Sequence, residues 1–214
     1  AAALLEAVRA VVVEHEEELG RMDAIAGDGD HGIGMRRGAD AAADAAAAAA
    51  EASAGVDRLL IQAGEAWAEK AGGTSGALWG SGLIALAHSL GNRESYNADD
   101  ALAAVTAFSQ AITDLGKAVP GDKTMVDALL PYVAVFSEHN HTGAPLEQTL
   151  SAAADEAKSA AQATAELSPK KGRARPLAEK SIGHPDPGAV SFGLIAEGVA
   201  RAYQEVLNGN GVKA

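Results

Sequence analysis

Ala98-Asp99-Asp100-Ala101-Leu102-Ala103-Ala104-Val105-Thr106-Ala107-Phe108-Ser109-Gln110-Ala111-Ile112-Thr113-Asp114-Leu115 decides the fold class. Its large apolar residues Leu102, Val105, Phe108, Ile112 and Leu115 recur at the spacing of one helix face, so this stretch is a core helix. The same period continues outward in both directions. Toward the N-terminus, Val56, Leu59, Leu60, Ala63, Ala66 and Trp67 form a stripe closed by Gly72-Gly73, and Ala77 to Leu90 is a further apolar segment. Ala39 to Ala54 is nearly all alanine, the residue with the best helix propensity. Leu4, Leu5, Val8, Val11, Val12 and Leu19 form a first helix, with Glu14, Glu16, Glu17 and Glu18 on solvated faces and Gly20 expected as a left-handed C-cap.

Toward the C-terminus, Thr124 to Glu138 resumes the period through Met125, Val126, Leu129, Leu130 and Val133, with a kink expected at Pro131. His139 and His141 flank Asn140 in an expected exposed turn. Pro145 opens an alanine-rich helix reaching about Leu167, and a last helix is expected over Ala189 to Leu207. No segment sustains period-two alternation. The class is therefore all-α, and the short antiparallel connections suggest a bundle or helical barrel.

Composition narrows the function. Of the 214 residues, 48% are hydrophobic but only 4% aromatic, so Ala, Leu, Val and Ile must build a core of closely approaching helices. A formal net charge of -12 argues against unassisted binding to nucleic acid or an anionic membrane. Zero cysteines fit a reducing, cytoplasmic setting, and no apolar run reaches the ~20 residues of a membrane span. The Ala1-Ala2-Ala3 start without Met fits a processed or excised piece of something longer.

Chemistry concentrates in Asp23-Ala24-Ile25-Ala26-Gly27-Asp28-Gly29-Asp30-His31-Gly32-Ile33-Gly34. Carboxylates this close repel one another unless a cation neutralises them, and Mg²⁺ prefers a few carboxylates shared with phosphate oxygens. The stretch reads as a metal loop or as an acidic, glycine-rich surface turn. Better-known motifs fail here. Gly27-x-Gly29-x-x-Gly32 follows no strand, a calcium loop opened at Asp28 would have Ala39 where its bidentate Glu belongs, and Gly116-Lys117 is followed by Ala118. Thr74 and Ser75 open the segment after Gly72-Gly73, an arrangement that serves phosphate binding or ordinary N-capping equally. Lys170, Lys171, Arg173 and Arg175 make the one dense basic run, and Pro185-Asp186-Pro187 reads as a positioned loop.

Five blocks carry a resemblance. Gly27-Asp28-Gly29-Asp30-His31-Gly32, Gly73-Thr74-Ser75-Gly76, Pro120-Gly121-Asp122-Lys123-Thr124-Met125, Lys171-Gly172-Arg173-Ala174 and Ser181-Ile182-Gly183-His184-Pro185-Asp186-Pro187-Gly188 resemble, in order, the nucleotide-binding L subunit or L domain of dihydroxyacetone kinases. The resemblance implies one L-type domain over 1–214, folded as an eight-helix antiparallel up-down barrel with the nucleotide site in the loops at one end. It implies two Mg²⁺ ions on Asp23, Asp28 and Asp30, and ATP or ADP along His31, Gly32, Ile33 and Gly34. It places Thr74 and Ser75 at the phosphates, Gly116 and Met125 at the base, and Arg173, Asp186, Pro187 and Gly188 around them. Arg173 is the expected charge stabiliser; no general base or covalent nucleophile is identified.

Gly34 stands where many members have Asn, and Thr74 where many have Ala. His31 after Asp30 favours the ketose-kinase branch over the fatty-acid kinase branch. By the same likeness the ketose, dihydroxyacetone or erythrulose, sits on a separate K subunit or domain, without which this chain turns over little. The phosphoryl donor is ATP, or a phosphotransferase-system phosphocarrier acting on bound ADP. A homodimer stays open, as does an alternative role as a nucleotide-sensing module acting on a transcription regulator.

Overall fold

The computed structural model describes residues 1–172 and 174–209. Eight long helices account for most of them: α1 (Ala2–Asp23), α2 (His31–Glu51), α3 (Val56–Ala71), α4 (Gly73–Leu90), α5 (Ala98–Gly116), α6 (Val126–His141), α7 (Leu146–Ala163) and α9 (Pro187–Leu207). Between α7 and α9 lie two 3₁₀ turns and the one-turn helix α8 (Ala178–Ser181). No strand occurs among the described residues, so the all-α expectation holds. None of these helices is long and apolar enough to cross a membrane.

Each long helix packs on the next in sequence, and α9 packs on both α7 and α1. The ring therefore closes, as an eight-helix up-down barrel requires. The connections α1–α2, α3–α4, α5–α6 and α7–α9 consequently gather at one end. The other three gather at the opposite end.

Small residues set the spacing of the ring. A Cβ on Gly32 would lie 2.0 Å from the carbonyl oxygen of Glu16, so α1 and α2 approach with backbone against backbone. The alanine-rich helices turn Ala42, Ala46, Ala153 and Ala157 inward, all fully buried. Most of the few aromatics are spent in the interior, where alanine cannot reach. Trp67 stacks on Trp79 with centroids 5.2 Å apart, and Trp79 meets Phe108 edge-on at 5.6 Å. Phe192 links this pair to Tyr132, which contacts Phe136. Such contacts add to the burial of each ring.

Several boundaries differ from the sequence reading. Gly20 is no C-cap: α1 runs on to Asp23, and the returning loop brings the Gly29 carbonyl to within 3.4 Å of where a Cβ on Gly20 would lie. Helix α2 begins at His31 rather than Ala39, its glycines serving close packing instead of turns. His139 and His141 lie in the last turn of α6, where the Asn140 side chain donates to Asp99 at the start of α5.

Candidate functional site

The end holding the connections α1–α2, α3–α4, α5–α6 and α7–α9 contains a cavity of about 420 Å³. Asp23 enters from the last turn of α1, and Asp28 and Asp30 from the loop that follows. One carboxylate oxygen from each lies within 4.8 Å of the others. Asp23 Oδ2 accepts the amide N–H of Gly29 at 2.9 Å and of Asp30 at 3.1 Å, curling the loop around its own carboxylate. That wrap admits no side chain at Gly27, where a Cβ would fall 2.4 Å from Asp23 Oδ1. Three clustered carboxylates with oxygen donors only suit a hard divalent cation. His31, the first residue of α2, holds Ser191 Oγ at 3.1 Å through Nε2. Burial lowers its pKa, with the Asp23 charge opposing.

The start of α4 offers bare backbone donors. Its N-cap is Gly72, which has no side chain to close the first turn, and Gly72 and Gly73 take φ of +66° and +60°. Thr74 and Ser75 do not cap the helix; both line the cavity. First-turn N–H groups without a side-chain cap are available to an anion, which the helix dipole also favours.

The start of α9 is built differently. Asp186 caps it, accepting the Ala189 N–H at 2.7 Å, while its own N–H donates to Thr164 Oγ1 at 2.8 Å. Although the residue keeps some solvent contact at the cavity wall, burial pushes its carboxyl up to about 7. The Asp127 charge adds to this rise, and the Ala189 N–H and the Lys123 ammonium oppose it. The α5–α6 loop is held by Asp127, which accepts the N–H groups of Gly121 and Thr124. Lys123 is buried in that loop at φ +61°.

Asp23, Asp28, Asp30, His31, Ile33, Gly34, Thr74, Ser75, Met125, Asp186, Pro187 and Gly188 all line this one cavity. Two expected residues do not. Gly32 is spent on the α1–α2 contact, and Gly116 ends α5 behind Leu78, whose side chain would lie 3.2 Å from a Cβ there. Leu78 itself lines the cavity. Arg173 lies outside the described residues. The lining also includes Arg37, Lys123, Lys171 and His184, which the sequence reading did not select. Arg37 was within reach: Asp30, Ile33, Gly34 and Arg37 share a face once α2 starts at His31.

Comparison with known proteins gives concordant findings. The DAK2 domain family model matches residues 25–201. The chain is 49% identical to an L-erythrulose kinase of Pectobacterium atrosepticum over 93% of its own length and 34% of that protein. It is 34% identical to the ADP-binding subunit DhaL of the PEP-dependent dihydroxyacetone kinase of Escherichia coli, covering 88% of this chain and 89% of the subunit. The crystal structure of the C. freundii dihydroxyacetone kinase with AMP-PNP and Mg²⁺ superposes with a TM-score of 0.68 at 26% identity, over 94% of this chain and 33% of that one. The chain thus spans about a third of the length of the curated erythrulose kinases it matches.

Proposed function

The chain belongs to the DAK2 domain family, and on that premise we propose that it is the nucleotide-binding, phosphoryl-transfer unit of a ketose kinase. Residues 1–214 act as one such domain. The observation that carries the reading is the convergence of Asp23, Asp28 and Asp30 within 4.8 Å at a cavity that also exposes the uncapped start of α4.

In this reading Asp23, Asp28 and Asp30 hold two Mg²⁺ ions, and ATP or ADP occupies the cavity. When bound, the metal supplies neutralisation of phosphate charge and a template for in-line transfer. The chain's own groups orient the nucleotide. The first-turn N–H groups of α4 and the hydroxyls of Thr74 and Ser75 meet phosphate oxygens, with Lys171 and Arg173 supplying positive charge. Met125 and Leu78, backed by Gly116, border the base. His31, Ile33 and Gly34 on α2 and Pro187 and Gly188 at α9 flank the nucleotide. Burial keeps His31 neutral and bonded to Ser191, so it positions rather than neutralises.

The acceptor is a short ketose, erythrulose or dihydroxyacetone, held on a partner unit outside this chain. Identities of 49%, 49% and 45% to three erythrulose kinases, against 34% and 35% to two DhaL subunits, support ATP as the donor and erythrulose as the acceptor. The zero cysteine count supports a reducing cytoplasm. The test is a transfer assay with ATP and Mg²⁺, offering erythrulose and dihydroxyacetone in turn, with and without a ketose-binding unit from an erythrulose kinase. Turnover is expected only with that unit present and fastest with erythrulose. Full-rate phosphorylation by this chain alone would contradict the division of labour.

A further inference from the structure

One buried charge at the site has no role in the account above. Lys123 is 3% exposed and holds a left-handed backbone conformation, which a non-glycine residue keeps only when its surroundings compensate. Its ammonium donates to the carbonyl of Ser181 at 2.7 Å and of Leu167 at 3.1 Å. Those two carbonyls stand at the two ends of the excursion between α7 and α9. Other bonds close the same neck: Lys170 N–H to the Asp122 carbonyl at 3.0 Å, and Gly183 N–H to the Ala165 carbonyl at 2.9 Å. Between the ends, Lys171, Gly172 and Ala174 reach the cavity.

An ammonium has three donors, and two of these are committed to the strap's backbone. Burying the charge is costly unless it is paired and hydrogen-bonded, so retaining it demands strong bonds in return. Charge-assisted bonds to carbonyls are roughly twice as strong as neutral ones. A neutral side chain could fill the space but could not hold both ends as firmly.

We propose that Lys123 is a positioning residue, an ammonium clip that fastens both ends of the strap, at Leu167 and Ser181, to the α5–α6 loop and thereby holds Lys171 at the cavity. The inference rests on reading the cavity as a nucleotide site, and it separates Lys123 from the groups that touch phosphate. Lys123 acts through the strap.

Lys123→Met tests this on the full chain. Limited trypsin digestion without nucleotide reads the strap directly, at Lys170, Lys171 and Lys180. Strap cleavage is expected to quicken about tenfold or more, the scale of losing two charged hydrogen bonds, while the helices stay resistant. Calorimetry should show Mg-ATP affinity falling about tenfold and adenosine affinity changing less than about twofold, because only the phosphates meet the strap. Unchanged strap cleavage, or equal weakening of ATP and adenosine, would overturn the clip. Should Lys123→Met fail to fold, Lys123→Gln keeps neutral donors near the same carbonyls and is expected to cleave at an intermediate rate. Protection equal to wild type in that variant would overturn the need for charge. If wild type bound no nucleotide, the nucleotide reading would fall while the digestion still decided the clip.

Discussion

The two ends of the barrel solve the same problem, turning a chain back between neighbouring helices, in opposite ways. At the end away from the cavity, the turns at 52–55 and 142–145 are short. They close with backbone bonds such as Ala54 N–H to the Ala49 carbonyl and Ala144 N–H to the His139 carbonyl. The longer turn before α5 is finished by a capping box, in which Asn97 and Asp100 satisfy each other's backbone N–H groups. At the cavity end the α3–α4 turn is Gly72 alone, but the other three are longer than those two short turns, and two of them wrap around carboxylates: Asp23 in one, Asp127 in another. A third is tied by a buried ammonium. One end is arranged for stability, and the other keeps charge close together at a cost in stability. Proteins retain such arrangements where a ligand offsets them.

Substitutions at the cavity end should therefore move binding, and those at the far end stability. The largest effect is expected for Asp28→Ala and Asp30→Ala. Turnover in the transfer assay should fall at least about a hundredfold, the scale of losing a metal ligand or its support. The melting temperature should hold or rise as carboxylate repulsion is relieved. Loss of turnover together with gross unfolding would contradict this division between the two ends.

A smaller effect is expected from pH through Asp186. Its folded-state pKa is raised from 3.8 to about 7, so the folded protein holds this proton more tightly than the unfolded chain does. Its contribution to stability is therefore fully present below about pH 4 and is lost as pH rises through about 7. Asp186→Asn can still cap Ala189 through its amide oxygen but cannot ionise. Without ligand, it should match wild type near pH 4 and exceed it at pH 8, by on the order of 1 kcal/mol or more. Denaturant midpoints at the two pH values check this, and an Asn variant less stable at pH 8 would contradict it.

Asn97→Ala acts at the end away from the cavity. Removing the capping box should cost about 1 kcal/mol of stability and leave nucleotide affinity within about twofold. Paired thermal and calorimetric measurements would show it, and a matching loss of affinity would mean the two ends are coupled.

Much of this was legible in the residues. The stripe from Leu102 to Leu115 predicted α5 and set the all-α class, and α5 spans Ala98–Gly116. The acidic loop announced itself because Asp23, Asp28 and Asp30 are close in sequence as well as in space. The start of α2 was hidden because Gly32 and Gly38 look like turn residues. Their use is to admit the backbone of α1 and the Trp67 indole, contacts that only tertiary packing creates. Lys123 was equally illegible. Neither its positive φ nor its two carbonyl partners, 44 and 58 residues onward, leave a local signal. Arg37 fell between these cases, readable once the first turn of α2 was placed.

The central claim is that the acidic loop holds metal for a nucleotide, and calorimetric titration of the chain with ATP tests it most directly. The account predicts binding with Mg²⁺, at least about a hundredfold weakening when EDTA removes it, and the same weakening in Asp28→Asn/Asp30→Asn with Mg²⁺ present. ATP binding that ignores both Mg²⁺ and the two aspartates, or no binding at all, would contradict it.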